Sequence, residues 1–307
     1  MRILFFGTPA FAVASLRALL RERFTIAGVV TQPDKPQGRS RSELIPPPVK
    51  VFAQAQGISV LQPVRPVGDV FATSLRRLEA DLGIVVAYGH ILRPEILAIP
   101  PQGMINVHAS LLPRYRGAAP IQHAILRGEA ETGITIMQME AGLDSGPALH
   151  RVATAIGPDE TAGQLAERLA ELGGEALIQA LALISSGLAR PQPQDHARAT
   201  FAPKIDREMA RLVWERDAAT LVRQVRAFDP SPGAWTTLNG GILKLFTARE
   251  VPGTGEPGEV LAAGERLVVA AARGAVAINE VQPAGKNRLP VEAWVRGRGV
   301  AAGQRLE

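Results

Sequence analysis

An amide and an imidazole stand two residues apart where an apolar run ends, in Met104-Ile-Asn106-Val-His108, and a carboxylate follows between glycines in Gly142-Leu-Asp144-Ser-Gly146. In a strand, residues two apart face the same side, so Asn106 and His108 would project together past the carboxyl end of a sheet, where open α/β sheets bind their ligands. Attack of an amine on an acyl carbon needs donors for the developing oxyanion and a group that brings a proton to the leaving nitrogen. Asn106 and His108 could supply the donors. Asp144, on a loop made flexible by Gly142 and Gly146, could orient the imidazole and relay protons through water. Each residue alone has an ordinary explanation: a strand-end histidine is commonly structural, and Asn106 and Asp144 are turn formers. The three together, with the continuation Ser110-Leu-Leu-Pro113-Arg-Tyr-Arg-Gly117, outweigh those explanations.

Positioning such a set takes a sheet, and the first part of the chain reads as one. Arg2 to Phe6 is a short apolar strand, and Phe24 to Thr31 is a second. Between them Thr8 can cap a helix that has Pro9 at its first position and Leu16, Leu19 and Leu20 at helical spacing. Apolar runs at Ile58 to Leu61, Leu82 to Ala87 and Met104 to His108 alternate with helical stretches around Val49 to Gln56, Val70 to Leu78 and Ala119 to Arg127. That alternation predicts an α/β fold with a doubly wound, mostly parallel sheet. Glu131 to Met139 and Leu149 to Ala155 read as an antiparallel pair, and Thr161 to Ser185 as a long helix. The turn Gly7-Thr-Pro-Ala-Phe-Ala holds only the first glycine of a dinucleotide fingerprint, and Pro9 and Phe11 crowd the pyrophosphate position, which disfavours an NAD-dependent oxidoreductase.

A catalytic domain is expected over 1–188 and a Pro/Gln-rich connector over 189–206. Residues 207–307 follow, with a short helical region from Arg207 to Ala227. Beyond it lie five short segments parted by Gly/Pro turns (234–238, 243–249, 258–262, 267–271 and 276–281), which predict a small β-barrel.

With 307 residues, 46% of them hydrophobic and 21% charged, the chain has the composition of a folded protein of two domains rather than a disordered one. A formal net charge of +5 without any long cationic run permits an anionic partner. The absence of cysteine excludes a disulfide framework, a thiolate nucleophile and thiolate metal ligands. His90, His123, His150 and His196 lack metal-ligand spacing, so no metal is expected. The amino-terminal run superficially resembles a secretory signal, but Gly7-Thr8-Pro9 breaks it and a helix follows. No other segment approaches the roughly 18 apolar residues of a membrane span. The expectation is a cytoplasmic protein with no membrane partner.

The segment from Asn106 to Pro120 and the loop Gly142-Leu-Asp-Ser-Gly146 resemble those of the folate-dependent formyltransferases. Gly7-Thr-Pro-Ala-Phe-Ala, Thr31-Gln-Pro-Asp-Lys-Pro-Gln-Gly-Arg39, Val86-Ala-Tyr-Gly89, Glu131-Thr-Gly-Ile-Thr-Ile-Met-Gln-Met139 and Gln282-Pro-Ala-Gly-Lys286 are similar to the branch of that family that acts on an aminoacyl-tRNA. The resemblance spans nearly the whole chain. It implies a Rossmann-like catalytic domain, an OB-like carboxy-terminal barrel, catalysis by Asn106, His108 and Asp144, and 10-formyltetrahydrofolate as co-substrate without a metal. Ser110, Leu111, Leu112 and Pro113 match the folate-contacting segment. The implied acceptor is the α-amine of methionine on initiator methionyl-tRNA, formylated for translation initiation by a monomeric enzyme. Arg39, Arg41, Lys50, Lys244 and Lys286 are the implied tRNA contacts, the first two within a long insertion from Asp34 to Lys50. Two departures stand out: Ser40-Arg41-Ser42-Glu43 replaces a run of basic residues, and Val213 replaces an acidic residue before Trp214. The rival readings are a formyltransferase for a nucleotide-linked amino sugar, which the same trio would serve, and a noncatalytic RNA-binding protein, which an intact trio disfavours.

Overall fold

Ile3, Leu4, Phe5 and Phe6 are all fully buried in β1 (Arg2–Gly7), as a parallel strand covered on both faces requires. The structure, a computed structural model, describes residues 1–37 and 43–307. After β1 come α1 (Ala10–Arg21), β2 (Thr25–Val30), β3 (Lys35–Gln37), β4 (Glu43–Ile45), α2 (Pro48–Ala55), β5 (Val60–Leu61), α3 (Asp69–Arg76), β6 (Leu82–Val86), α4 (Pro94–Leu97), β7 (Met104–His108), α5 (Pro120–Leu126), β8 (Glu131–Gln138), β9 (Ala148–Ala155) and α6 (Ala162–Ser185). The chain divides into two compact units, the first made of Met1–Pro120, Thr132–Ala155 and Ala166–Pro203, the second of Ile121–Glu131, Ile156–Leu165 and Lys204–Glu307.

In the first unit the sheet runs in the order β5-β2-β1-β6-β7-β8-β9. The ladders β5/β2, β2/β1, β1/β6 and β6/β7 are parallel, and β8 pairs antiparallel with β7. The chain therefore winds outward from β1 through β2 to β5, then returns to β6 on the other side. The carboxyl ends of β1 and β6 flank the reversal, which is where such sheets open a crevice. Small residues let α6 close on this sheet: a Cβ on Gly173 would lie 3.1 Å from Val107, and one on Gly174 would lie 3.2 Å from Ala18 of α1. Met137 is buried in β8, and Met139 packs against the core cluster around Leu4, Phe6 and Tyr88, in line with a packing role for both.

Thr8 does not cap α1. Pro9 holds the cap position and provides no side-chain bond, while the Thr8 hydroxyl donates to the Tyr88 carbonyl at 2.9 Å, tying the end of β1 to the turn after β6. Spacing along one strand could not reveal that bond to another. The insertion between Asp34 and Lys50 contains the short antiparallel pair β3/β4, and α4 was also not anticipated.

The second unit contains α7 (Ala218–Phe228), β10 (Ala234–Leu238), β11 (Gly241–Val251), β12 (Val260–Ala263), β13 (Leu267–Ala270), β14 (Ala275–Pro283), β15 (Leu289–Pro290) and α8 (Val291–Arg296). The expected helix from Arg207 is shorter than predicted: Glu208–Ala210 is a single 3₁₀ turn, and α7 starts at Ala218 because the Asp217 carboxylate accepts from Thr220 N at 2.7 Å. Its ladders are antiparallel, in the order β10-β11-β14-β13-β12 with β15 beside β14. The tail runs between the two ends of this order. Leu306 N bonds Gly258 O at 2.8 Å and Val260 N bonds Gln304 O at 2.8 Å on the β12 side, while Glu307 and Thr237 exchange both backbone bonds, at 2.8 and 2.9 Å, on the β10 side. This is the antiparallel β-rich domain that the segment spacing predicts.

Candidate active site

Every contact of the site lies within the first unit. On β7, Asn106 stands opposite Met137 and His108 opposite Thr135 of β8, so the two share one face of the strand. The segment after β7 folds back on itself. The buried Thr135 hydroxyl donates to Ser110 O at 2.7 Å and accepts from Leu112 N at 3.1 Å, which pins the segment to β8. Ser110 Oγ donates to Arg114 O at 2.6 Å, closing a tight turn. Tyr115, at a left-handed φ of 60°, then presents its carbonyl to His108 Nε2 at 2.9 Å.

That contact assigns the imidazole. A carbonyl can only accept, so Nε2 carries a hydrogen, and Nδ1 is the nitrogen left free to gain or lose a proton. Nδ1 lies 3.7 Å from Asp144 Oδ2. Asp144, also at a left-handed φ of 46°, accepts from Gly117 N at 2.8 Å through the same oxygen. The glycines serve closeness here: a Cβ on Gly117 would sit 2.7 Å from Ala202 O, and one on Gly146 would sit 2.0 Å from Gln138 O. The imidazole is buried and the carboxylate is partly open, with 6% and 18% of the side chains exposed. Asn106 is half-buried, and its side-chain amide has no hydrogen-bond partner among the described residues. The arrangement therefore offers one uncommitted amide donor and one proton-accepting nitrogen beside a carboxylate, rather than the two free donors that spacing alone predicts.

The remaining predicted positions are distributed differently. Ser110 and Leu112 are buried in the folded-back segment, whereas Leu111 and Pro113 keep accessible surface. Lys50 is held by both oxygens of Asp34 at 2.9 and 2.7 Å, and hydrogen bonds from Gln62 and then Lys50 keep the Asp34 carboxyl below its ordinary range. In the second unit Lys244 Nζ donates to Pro232 O at 2.7 Å, and Lys286 is exposed on a turn. Arg39 and Arg41 lie outside the described residues. Among the described residues, no group of three or more His, Cys, Asp or Glu is placed to hold a metal, and no helix is long and apolar enough to cross a membrane. Sequence reasoning missed the buried Arg116 and Gln194, which stand behind Asp144. Arg116 lay inside the motif without an assigned task, and Gln194 sits in the irregular connector where no periodicity marks it.

A doubly wound sheet bearing an amide, an imidazole and a carboxylate at its rim, followed by an antiparallel β-rich unit, is the architecture of a formyl-transferring enzyme. The chain belongs to the formyl transferase family, matching Formyl transferase over residues 1–181 and Formyl transferase, C-terminal domain, over residues 204–299. It is similar along its full length to the methionyl-tRNA formyltransferase of Geobacter sulfurreducens, at 45% identity over 307 residues that cover 100% of this chain and 96% of that protein. Among solved structures, HypX from Aquifex aeolicus in complex with tetrahydrofolic acid superposes with a TM-score of 0.66 at 26% identity, over 97% of this chain and 47% of that one. An N-formyltransferase from Helicobacter canadensis, solved with folinic acid and dTDP-3-aminofucose, shares the fold with a TM-score of 0.70 at 17% identity, over 92% of this chain and 98% of that one.

Proposed function

We propose that this chain transfers the formyl group of 10-formyltetrahydrofolate to the α-amine of methionine on initiator methionyl-tRNA, acting as a monomer in the cytoplasm, where that acceptor is found. The observation that carries the reading is the His108 imidazole, fixed through Nε2 by Tyr115 O and facing Asp144 through Nδ1, on the strand face it shares with Asn106. The full-length likeness to a methionyl-tRNA formyltransferase supports the choice of acceptor.

In this proposal the amine lone pair forms a bond to the formyl carbon, and the formyl oxygen becomes an oxyanion that the Asn106 amide stabilises. A proton leaves the attacking nitrogen towards Nδ1 of His108, and the carboxylate of Asp144 stabilises the imidazolium so formed. Collapse of the tetrahedral intermediate breaks the carbon–N10 bond, and the proton returns to N10 of tetrahydrofolate. Each turnover exchanges one formyl group for one proton and needs no redox partner. Leu111 and Pro113 offer accessible apolar surface to the folate, while Ser110 and Leu112 hold the segment's shape. Contact with tRNA falls to Arg39, Arg41, Lys50, Lys244 and Lys286, of which Lys50 and Lys244 are also bonded within the protein. Residues 1–188 carry the catalysis, 189–206 join the parts, and 207–307 bind tRNA.

Incubating the purified full chain with 10-formyltetrahydrofolate and either methionyl-tRNA or an amino-sugar nucleotide tests the reading. Formylated methionyl-tRNA is the expected product. Formylation of the sugar alone would overturn the acceptor assignment, and formylation of neither would overturn the reaction.

A further inference from the structure

We infer that Gln194 is a positioning residue for the proposed reaction, its side-chain amide locking the Asp144 loop against the turn that fixes His108. The inference rests on the functional reading above and assigns a task to a residue of the otherwise irregular connector. Gln194 is 5% exposed. Its Nε2 donates to Asp144 O at 2.9 Å and to Gly146 O at 2.7 Å. Its Oε1 accepts from Arg116 Nε at 3.2 Å and from the Arg116 terminal nitrogen at 2.7 Å. A primary amide has two hydrogens and two lone pairs, and all four are used here.

The two halves of this clamp reach the two halves of the reacting pair. One half holds the main chain of Asp144, a non-glycine residue at φ 46° that sits beside flexible glycines and needs outside restraint to stay there. The other half holds Arg116, itself buried and bonded also to His196 Nδ1 at 3.1 Å. Arg116 lies between Tyr115, whose carbonyl fixes His108, and Gly117, whose N–H fixes the Asp144 carboxylate. One side chain thus sets the separation of Nδ1 and Oδ2. Its chemistry is specific to glutamine: a glutamate would aim acceptors at two carbonyl oxygens, and a lysine would face the guanidinium.

Displacing a reacting group by about 1 Å costs on the order of 100-fold in rate. Gln194→Met keeps the volume and removes all four bonds, while Gln194→Glu keeps the pairing with Arg116 and removes only the donors; the second serves if the first does not fold. For either folded variant of the full chain we expect kcat to fall about 10- to 100-fold, with KM for both substrates within about twofold of the parent. In an Asp144→Asn background the same change should cost less rate than in the parent, because one of the two groups it positions has already been disabled. Unchanged kcat in a folded variant, or an equal loss in both backgrounds, overturns the assignment. A parent chain without formyl transfer activity would instead sink the functional reading itself.

Discussion

His108 has one nitrogen left for proton traffic, and that nitrogen faces a carboxylate. Asp144→Asn preserves the size and the acceptor for Gly117 N while deleting the charge, and His108→Ala deletes the base. Each should lower kcat by about 10²- to 10⁴-fold, the range of general acid–base contributions, and leave folate affinity nearly unchanged. Steady-state rates with a folate-binding titration measure this, and near-normal turnover in either variant would contradict the mechanism. Tyr88 makes a different point about a single group. Its ring is 1% exposed and meets the edge of Phe6 with centroids 5.3 Å apart, its hydroxyl has no hydrogen-bond partner among the described residues, and burial pushes the phenol up to about 12, so it stays neutral. A buried hydroxyl without a partner costs about 1–3 kcal/mol. Tyr88→Phe should therefore raise stability, by about 1 kcal/mol, in a denaturant titration; a lower midpoint would mean that the hydroxyl is satisfied by a buried water.

At the scale of elements, the tight contact between β8 and β9 depends on Gly133. A Cβ there would lie 2.2 Å from Val152 O and 2.6 Å from Leu111 Cδ2, backbone on one side and the segment after β7 on the other. Gly133→Ala should cost about 1–3 kcal/mol, read as a lower melting temperature, and reduce activity as Leu111 shifts. An unchanged melting temperature would mean that the strands can part without loss. The sheet was legible because its signals are local. β7 was read at its observed bounds, Met104 to His108, since five residues of strand character end at a polar cluster. The apolar spacing of α1 was equally plain, with Leu16 and Leu19 fully buried. What escaped depends on partners distant in sequence. Thr8 bonds a carbonyl 80 residues away, and Gln194 bonds one 50 residues away. The Tyr115 carbonyl that assigns the histidine is a backbone group, which no residue type announces.

Across the whole molecule, several carboxylates are bound more tightly as anions in the folded chain than in the unfolded one. Glu280 is lowered by Arg288, Asp217 by the Thr220 hydroxyl and amide, and Asp34 by Gln62 and Lys50. A folded pKa below the unfolded one means that the native state binds fewer protons in that interval. The stability they confer is therefore complete above the ordinary values of 4.5 and 3.8 and is lost as pH falls through the lowered ones. Denaturant midpoints should be level near neutrality with respect to these groups and decline below about pH 4.5, and Glu280→Gln should make that decline shallower. A midpoint indifferent to acid would show that these pairs persist in the unfolded chain. The tail threaded between β10 and β12 has a consequence of another kind. While it is seated, neither border of that sheet offers a bare row of N–H and C=O groups. Were residues 303–307 clipped by a protease or pulled away by a fused peptide, the β12 border would open, while β10 would stay covered at Trp235 by Leu212. Each molecule could then template the next, so loss of a few residues of the unit that does not hold the site would appear first as polymerisation rather than as lost catalysis.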